Sequence, residues 1–151
     1  MTEINYISFE EALEIHHKTV GKSGGGDIGE LDTGKLDSVL QHIQNDDYYP
    51  SFLDKLVHLF FCSCKFHCFT DGNKRIAITL SALFLLKNGY MAIANTFFRE
   101  MENVSYHVAA GHIGEEMLRE IMDAILSNTY DDNENLKLRV FNAISVEDEF
   151  Y

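Results

Sequence analysis

Apolar residues recur at three- and four-residue spacing along most of the chain, the period of helices that bury one face. Ser8 stands three residues before Glu11, a capping-box spacing, and Phe9, Ala12, Leu13 and Ile15 follow up to Val20, which predicts a first helix. Gly21 then opens a segment holding Gly24, Gly25, Gly26 and Gly29, too permissive for regular structure, and a loop is expected to about Asp32. Thr33 can cap a second helix through Leu36, Val39, Leu40 and Ile43, which Asn45-Asp46-Asp47 ends before Pro50. Ser51 with Asp54 starts a third, whose Phe52, Leu53, Leu56, Val57, Leu59, Phe60 and Phe61 are apolar on more than one face and make it central. After a break at residues 67 to 72 a fourth, buried helix runs through Ile76, Leu80, Leu83 and Leu86 to Asn88-Gly89, a left-handed cap. Asn95 is read as the cap of a helix through Phe98, Met101, Val104 and Val108. Gly114 precedes another through Met117, Leu118, Ile121, Met122 and Ile125, and Asn133 to Ala143 carries a weaker helical pattern. The array predicts an all-α bundle of six to seven helices around a buried central helix. A short strand or small β-hairpin flap is expected near Tyr90 to Ala94 or in the glycine-rich loop.

Length and charge narrow the function. A chain of 151 residues with 46% apolar and 24% charged residues and one proline fits a single domain, 1–151, with a core of its own. Twelve Lys and Arg against twenty-four Asp and Glu give a net charge of -12, which repels nucleic acid and anionic membrane and suits a basic protein partner. Cys62, Cys64 and Cys68 are an odd, clustered set, a poor disulfide framework that fits a reducing compartment. The first residues carry no basic patch followed by an apolar run, and the apolar stretch Ile76 to Leu86 holds Thr79 and Ser81 and is too short to span a bilayer. A cytoplasmic location is expected.

The chemistry gathers in His67-Cys68-Phe69-Thr70-Asp71-Gly72-Asn73-Lys74-Arg75, between two apolar helices. Gly72 permits a tight turn, so that consecutive N–H groups at the start of the next helix can point at one anion. The helix dipole favours negative charge there, and Lys74 and Arg75 add two cations where a helix ordinarily prefers acidic side chains. Asp71 offers a hard oxygen to Mg²⁺, and His67 has the ordinary pKa to accept a proton near neutrality. Against this stands the ordinary use of Asp71 and Asn73 as caps.

The same string resembles the signature of the Fic/Doc family, in which His, Phe two places on, an acidic residue, a small residue, Asn and Arg line one loop. Here these are His67, Phe69, Asp71, Gly72, Asn73 and Arg75. The resemblance covers about residues 7–126 and includes the glycine-rich loop into Leu31-Asp32, the helix from Thr33, and the apolar helix closing at Lys87-Asn88-Gly89. Residues 127–151 are read as a C-terminal helical extension. Lys74 stands where adenylylating members have a second Gly and is similar to the Doc (death-on-curing) branch. That likeness implies a nucleotide held in reverse, with the gamma phosphate passing to a protein hydroxyl. Gly72, where the Doc branch tends to carry Ala, and Cys68, where many adenylylating members carry Pro, are departures. Gly72 keeps AMP transfer as the alternative.

The resemblance implies roles for each residue. His67 would deprotonate a Ser, Thr or Tyr hydroxyl of a target protein, Asp71 would hold Mg²⁺, and Gly72, Asn73 and Arg75 would bind the phosphates of ATP or another nucleoside triphosphate. Lys74 would set the nucleotide's orientation and Phe69 would anchor the loop. The segment Gly24, Gly25, Gly26, Asp27, Ile28 and Gly29 is the candidate flap that holds the target by strand addition. Family likeness further implies a toxin of a toxin–antitoxin pair, restrained by a separate antitoxin chain, with a translation factor as the type of target. No segment fits the inhibitory Ser/Thr-x-x-x-Glu-Gly/Asn motif in full.

Three other readings fit the sequence less well. A zinc cluster of Cys62, Cys64, His67 and Cys68 conflicts with helical geometry, since Cys62 and Cys64 face about 160° apart on a helix. They are better read as buried, small hydrophobes. His16-His17, His107 and His112 show no partner constellation and are read as surface or core histidines. A silent binding module that keeps the fold would not need an intact His67, Asp71, Asn73 and Arg75.

Overall fold

A computed structural model describes residues 3–23, 33–65 and 73–145 of the chain. Among them are seven α-helices and no strand: α1 (Phe9–Ser23), α2 (Thr33–His42), α3 (Phe52–Lys65), α4 (Asn73–Lys87), α5 (Ala94–Ala110), α6 (Glu115–Leu126) and α7 (Glu134–Ser145). The architecture is the all-α bundle that the apolar periodicity implied. One hydrophobic cluster runs from Ile7 to Val140.

Local chemistry starts and stops the helices. Ser8 and Glu11 form the capping box, with the Ser8 N–H donating to Glu11 Oε1 at 3.0 Å and the Glu11 N–H donating to Ser8 Oγ at 3.1 Å. Ser51 and Asp54 repeat it at α3, where the Asp54 N–H donates to Ser51 Oγ and the Ser51 N–H to Asp54 Oδ2. At α4 the chain reverses at Gly89, φ +89°, and the N–H of Tyr90 donates to the carbonyl of Leu85 at 3.0 Å while that of Gly89 donates to Leu86. This is the Schellman closure, which needs a left-handed residue just past the helix and is easiest for glycine. Asn128, φ 58°, closes α6 in the same way, with Thr129 donating to Ala124 at 2.8 Å. Asn133 caps α7 by accepting from the Leu136 N–H at 3.0 Å.

Three boundaries differ from expectation. Helix α1 continues past Gly21 to Ser23, so one glycine did not stop a helix that tertiary packing supports. The expected strand or hairpin at Tyr90 to Ala94 is a 3₁₀ turn, Met91–Ile93, because the chain has only these few residues in which to turn from α4 into α5. Asn95 does not cap α5, which begins at Ala94 with Ile93 in the cap position and no side-chain cap bond. The alternative flap position, the glycine-rich loop, lies outside the described residues.

Helix α3 is the hub and packs against α2, α4, α5 and α6. Its partner α4 packs against α1, α3 and α5 and buries Ile76, Ala77, Ile78, Leu80, Ser81, Ala82, Phe84 and Leu85. Each large apolar side chain so buried stabilises by about 1.5–3 kcal/mol relative to exposure. Cys62 and Cys64 lie within this core as buried small hydrophobes. Lys55, 1% exposed, is a buried cation that the sequence did not flag. Its ammonium donates to the Ile43 carbonyl at 2.7 Å and to Asp46 Oδ1 at 2.8 Å, and lies 5.5 Å from the centre of the Tyr6 ring. Burial opposes its charge, but these partners outweigh burial and hold its pKa above the usual value. Lys55 thereby fastens the end of α2 and the N-terminal segment onto α3. Among the described residues no helix is long and apolar enough to cross a membrane.

Candidate active site

The motif joins the two most apolar helices. Lys65 ends α3 and Asn73 opens α4, so residues 66–72 connect the hub helix to its buried neighbour. His67, Phe69, Asp71 and Gly72 lie outside the described residues, as do Gly24, Gly25, Gly26, Asp27, Ile28 and Gly29 of the candidate flap. Asn73, Lys74 and Arg75 form the first turn of α4, but the side chains of Asn73 and Lys74 are not described. Arg75 is exposed and makes no ion pair with any described residue.

Charge marks this turn, although α2 and α5 also begin without an acidic residue and α2 carries Lys35 in its first turn. Helices α1, α3, α6 and α7 each carry an acidic residue in the first turn, where the positive end of the helix dipole favours it. The first turn of α4 has none and carries Lys74 and Arg75 instead. Cations in the first turn of a helix add to the positive field of its dipole, an arrangement that an anion relieves. The turn is rigid behind its exposed face: Ile76, Ala77 and Leu80 are fully buried, and Thr79 Oγ1 donates to the Arg75 carbonyl at 2.8 Å.

From Arg75 a groove of about 380 Å³ runs between α4 and α5, lined by Ile78, Thr79, Phe98, Arg99 and Glu102. Its floor is apolar and Phe98 stays partly exposed. Arg99 is tied to Glu100 at 3.2 Å and to Asp131 at 3.7 Å, which leaves Arg75 as the groove's other guanidinium.

Sequence reasoning missed one constellation near the motif. His107 and His112, read as unconnected, meet Nδ1 to Nδ1 at 2.9 Å, one imidazole donating and the other accepting. The cause is local. Gly111, φ +88°, closes α5 with a Schellman turn in which the His112 N–H donates to the His107 carbonyl at 2.9 Å, and this folds His112 back over the last turn. A Cβ at Gly111 would stand 3.7 Å from Lys65 Nζ, so the corner between α5 and α6 abuts the residue from which the chain enters the motif. A His-x4-His spacing around a glycine cap was the available signal. Of the other paired histidines, His16 is buried in α1 and His17 is exposed.

Comparison with known proteins shows the family. The chain is 26% identical over 113 residues to "Protein kinase doc" of Escherichia phage P1, an overlap of 73% of this chain and 86% of that protein. The Fic/DOC family model matches residues 6–85, which span α1 through most of α4 and the whole of the motif between α3 and α4. With more than half of its residues matched, the chain belongs to the Fic/DOC family.

Proposed function

We propose that the protein is a Doc-like phosphotransferase that moves the gamma phosphate of a nucleoside triphosphate to a Ser, Thr or Tyr hydroxyl of a target protein. The observation that carries the reading is the first turn of α4, which is made of the last three residues of the family motif, lacks any acidic residue and places Lys74 and Arg75 at the positive end of a helix. The name of the phage relative, a protein kinase, agrees with transfer to protein.

In this reading His67 takes the hydroxyl proton as the target's oxygen bonds to the gamma phosphorus, and the bond from that phosphorus to the bridging oxygen breaks to release the nucleoside diphosphate. Arg75, with the N–H groups around Gly72 and Asn73, balances charge on the phosphates. Lys74 holds the nucleotide in the reversed orientation, and Phe69 keeps the loop seated. Asp71 with phosphate oxygens would hold Mg²⁺, which commonly uses one or two carboxylates with phosphates. When bound it supplies charge neutralisation between the phosphates.

The chain acts as one unit, 1–151, in the cytoplasm, as a toxin restrained by an antitoxin chain. A translation factor is the type of target, and the flap at Gly24 to Gly29 holds it. Support for a restraining partner is the groove beginning at Arg75, whose apolar floor can seat a segment carrying acidic side chains. Gly72 favours a second reading, AMP transfer, in which attack falls on the alpha phosphorus and pyrophosphate leaves.

Purified chain with Mg²⁺, bacterial lysate and ATP labelled at the gamma or at the alpha phosphate separates the readings. Label on protein from gamma alone is expected; label from alpha replaces the kinase with an AMP transferase, and label from neither leaves a silent fold. Lys74→Gly is expected to shift the product toward AMP transfer. An unchanged product would remove Lys74 from the choice of orientation.

A further inference from the structure

A second concave surface lies away from the motif, between the α2–α3 connection and the start of α6. It is a cleft of about 280 Å³ lined by Tyr48, Tyr49, Asp54, Val57, Glu115, Glu116 and Arg119. Asp54 and Val57 sit in the first turns of α3, about 12–16 Å along the helix from Lys65, where the motif begins. The cleft is therefore separate from the proposed phosphate site.

Its volume falls just below the range of about 300–1,000 Å³ typical of sites for small-molecule ligands, and suits one long side chain better. Its walls say which. Three carboxylates face one guanidinium, and Arg119 is committed to Asp54. Asp54 is also held by Ser51; burial pushes its pKa up, but Arg119 and Ser51 outweigh burial and hold the carboxyl below its usual range. Glu115 and Glu116 make no side-chain hydrogen bond or ion pair with any described residue, so the cleft carries two uncompensated negative charges. The dipole of α6 accounts for acidic residues in its first turn, but not for the aromatic wall opposite them.

That wall is Tyr48, 77% exposed, and Tyr49. The loop bearing them is fixed in advance: Asn45 Oδ1 accepts from the N–H of Asp47 at 2.9 Å and of Tyr48 at 3.4 Å, the Tyr49 N–H donates to the Asn45 carbonyl, and the Tyr49 ring stacks on His58 at 4.4 Å. A phenol and two carboxylates lining one cleft match a planar cation, which can stack on a ring and pair with oxygen at its edge. Guanidinium does both; an ammonium only pairs as a point charge.

We infer that this cleft receives an arginine side chain from a protein partner of the chain. The inference stands apart from the transferase reading, since neither nucleotide nor motif enters it.

The test is a titration of the full chain, labelled with ¹⁵N, with the peptide acetyl-Ala-Arg-Ala-amide at low salt, alongside the same peptide with citrulline in place of arginine. Amide shifts should concentrate at Tyr48, Tyr49, Val57, Glu115 and Glu116, and citrulline should produce none. Tyr48→Ser, and separately Glu115→Gln with Glu116→Gln, should each weaken binding by about fivefold or more. The control pair Asp131→Asn with Asp132→Asn, also exposed and acidic, should leave binding unchanged. Shifts spread over the acidic surface, equal shifts with citrulline, no shifts at all, or binding indifferent to the cleft variants would each overturn the inference. Failure of nucleotide transfer would not touch it.

Discussion

The two ends of α4 face opposite demands. At its C-terminal end nearly every polar group has a partner. The Asn5 N–H donates to Asn88 Oδ1 at 2.8 Å, Asn88 Nδ2 donates to the Asn5 carbonyl at 2.9 Å and the Phe84 carbonyl at 2.8 Å, and Asn5 Nδ2 donates to the Lys87 carbonyl at 3.0 Å. Lys87 pairs with Glu11 at 2.9 Å, and Gly89 closes the turn. At the N-terminal end the helix begins with three residues of a family motif, no acidic side chain, and an arginine with no ion pair among the described residues. Partnered groups at the C-terminal end hold the helix in place, while the first turn carries Lys74 and Arg75 at the positive end of the helix dipole, where an anionic ligand is favoured. Stability and function are thus separable along a single element, and substitutions at its two ends should fail in different ways.

The largest effect belongs to the motif end. His67→Ala should lower protein labelling by about 10²–10⁴-fold, the usual value of a positioned general base, while nucleotide binding persists. Arg75→Ala should weaken nucleotide binding and rate together, because an exposed cation at the helix start acts on ground state and transition state alike. Arg75→Ala should not move the melting temperature by more than a degree or two, since Arg75 is exposed and packs no core. Transfer surviving His67→Ala would remove the proposed base, and unfolding in Arg75→Ala would mean that the two ends are not separable.

Next in size is the clamp at the other end. Asn88→Ala removes three hydrogen bonds at once and leaves the Phe84 and Asn5 carbonyls to find water. A loss of about 1–3 kcal/mol in unfolding free energy is expected by denaturant titration, with labelling per folded molecule unchanged. A loss of turnover in the folded protein would show that the N-terminal segment helps set the motif end.

Much of this contrast was legible in the sequence. The capping spacings at Ser8 and Ser51, the left-handed stop at Gly89 and the periodicity of α3 and α4 all act over a few residues, so neighbours in sequence sufficed to find them. Other features depend on distant partners. Asn88 reads only as part of a helix stop until Asn5 is seen against it, 83 positions away. The burial of Lys55 is not visible in the sequence because its acceptors, Ile43 and Asp46, lie in the connection between α2 and α3. The 3₁₀ turn at Met91–Ile93 was misread because three apolar residues carry no period long enough to separate a strand from a tight helix. At the motif the family resemblance named residues that periodicity alone could not, and the structure added that its last three, Asn73, Lys74 and Arg75, form the first turn of α4.

The smallest effect sharpens the comparison through pH. Glu11 accepts from Lys87 Nζ at 3.1 and 2.9 Å and from the Ser8 N–H, and those bonds, the backbone one foremost, hold its pKa below the ordinary carboxylate value against the opposing effect of burial. A group whose folded pKa is depressed stabilises the fold above its unfolded pKa, and that stabilisation fades as pH falls through the folded value. The stabilising share from Glu11 is therefore fully present at neutral pH and is lost progressively below about pH 4.5, the ordinary value. Glu11 and Lys87 are partly solvated, so the share is expected to be below about 1 kcal/mol and weaker in salt. Glu11→Gln should cost that amount at pH 7 and less at pH 3, while any residual transfer at neutral pH stays as in the parent. If the cost were the same at both pH values, the carboxylate's charge would not be what holds α1 to the end of α4, and the clamp would rest on Asn5 and Asn88 alone.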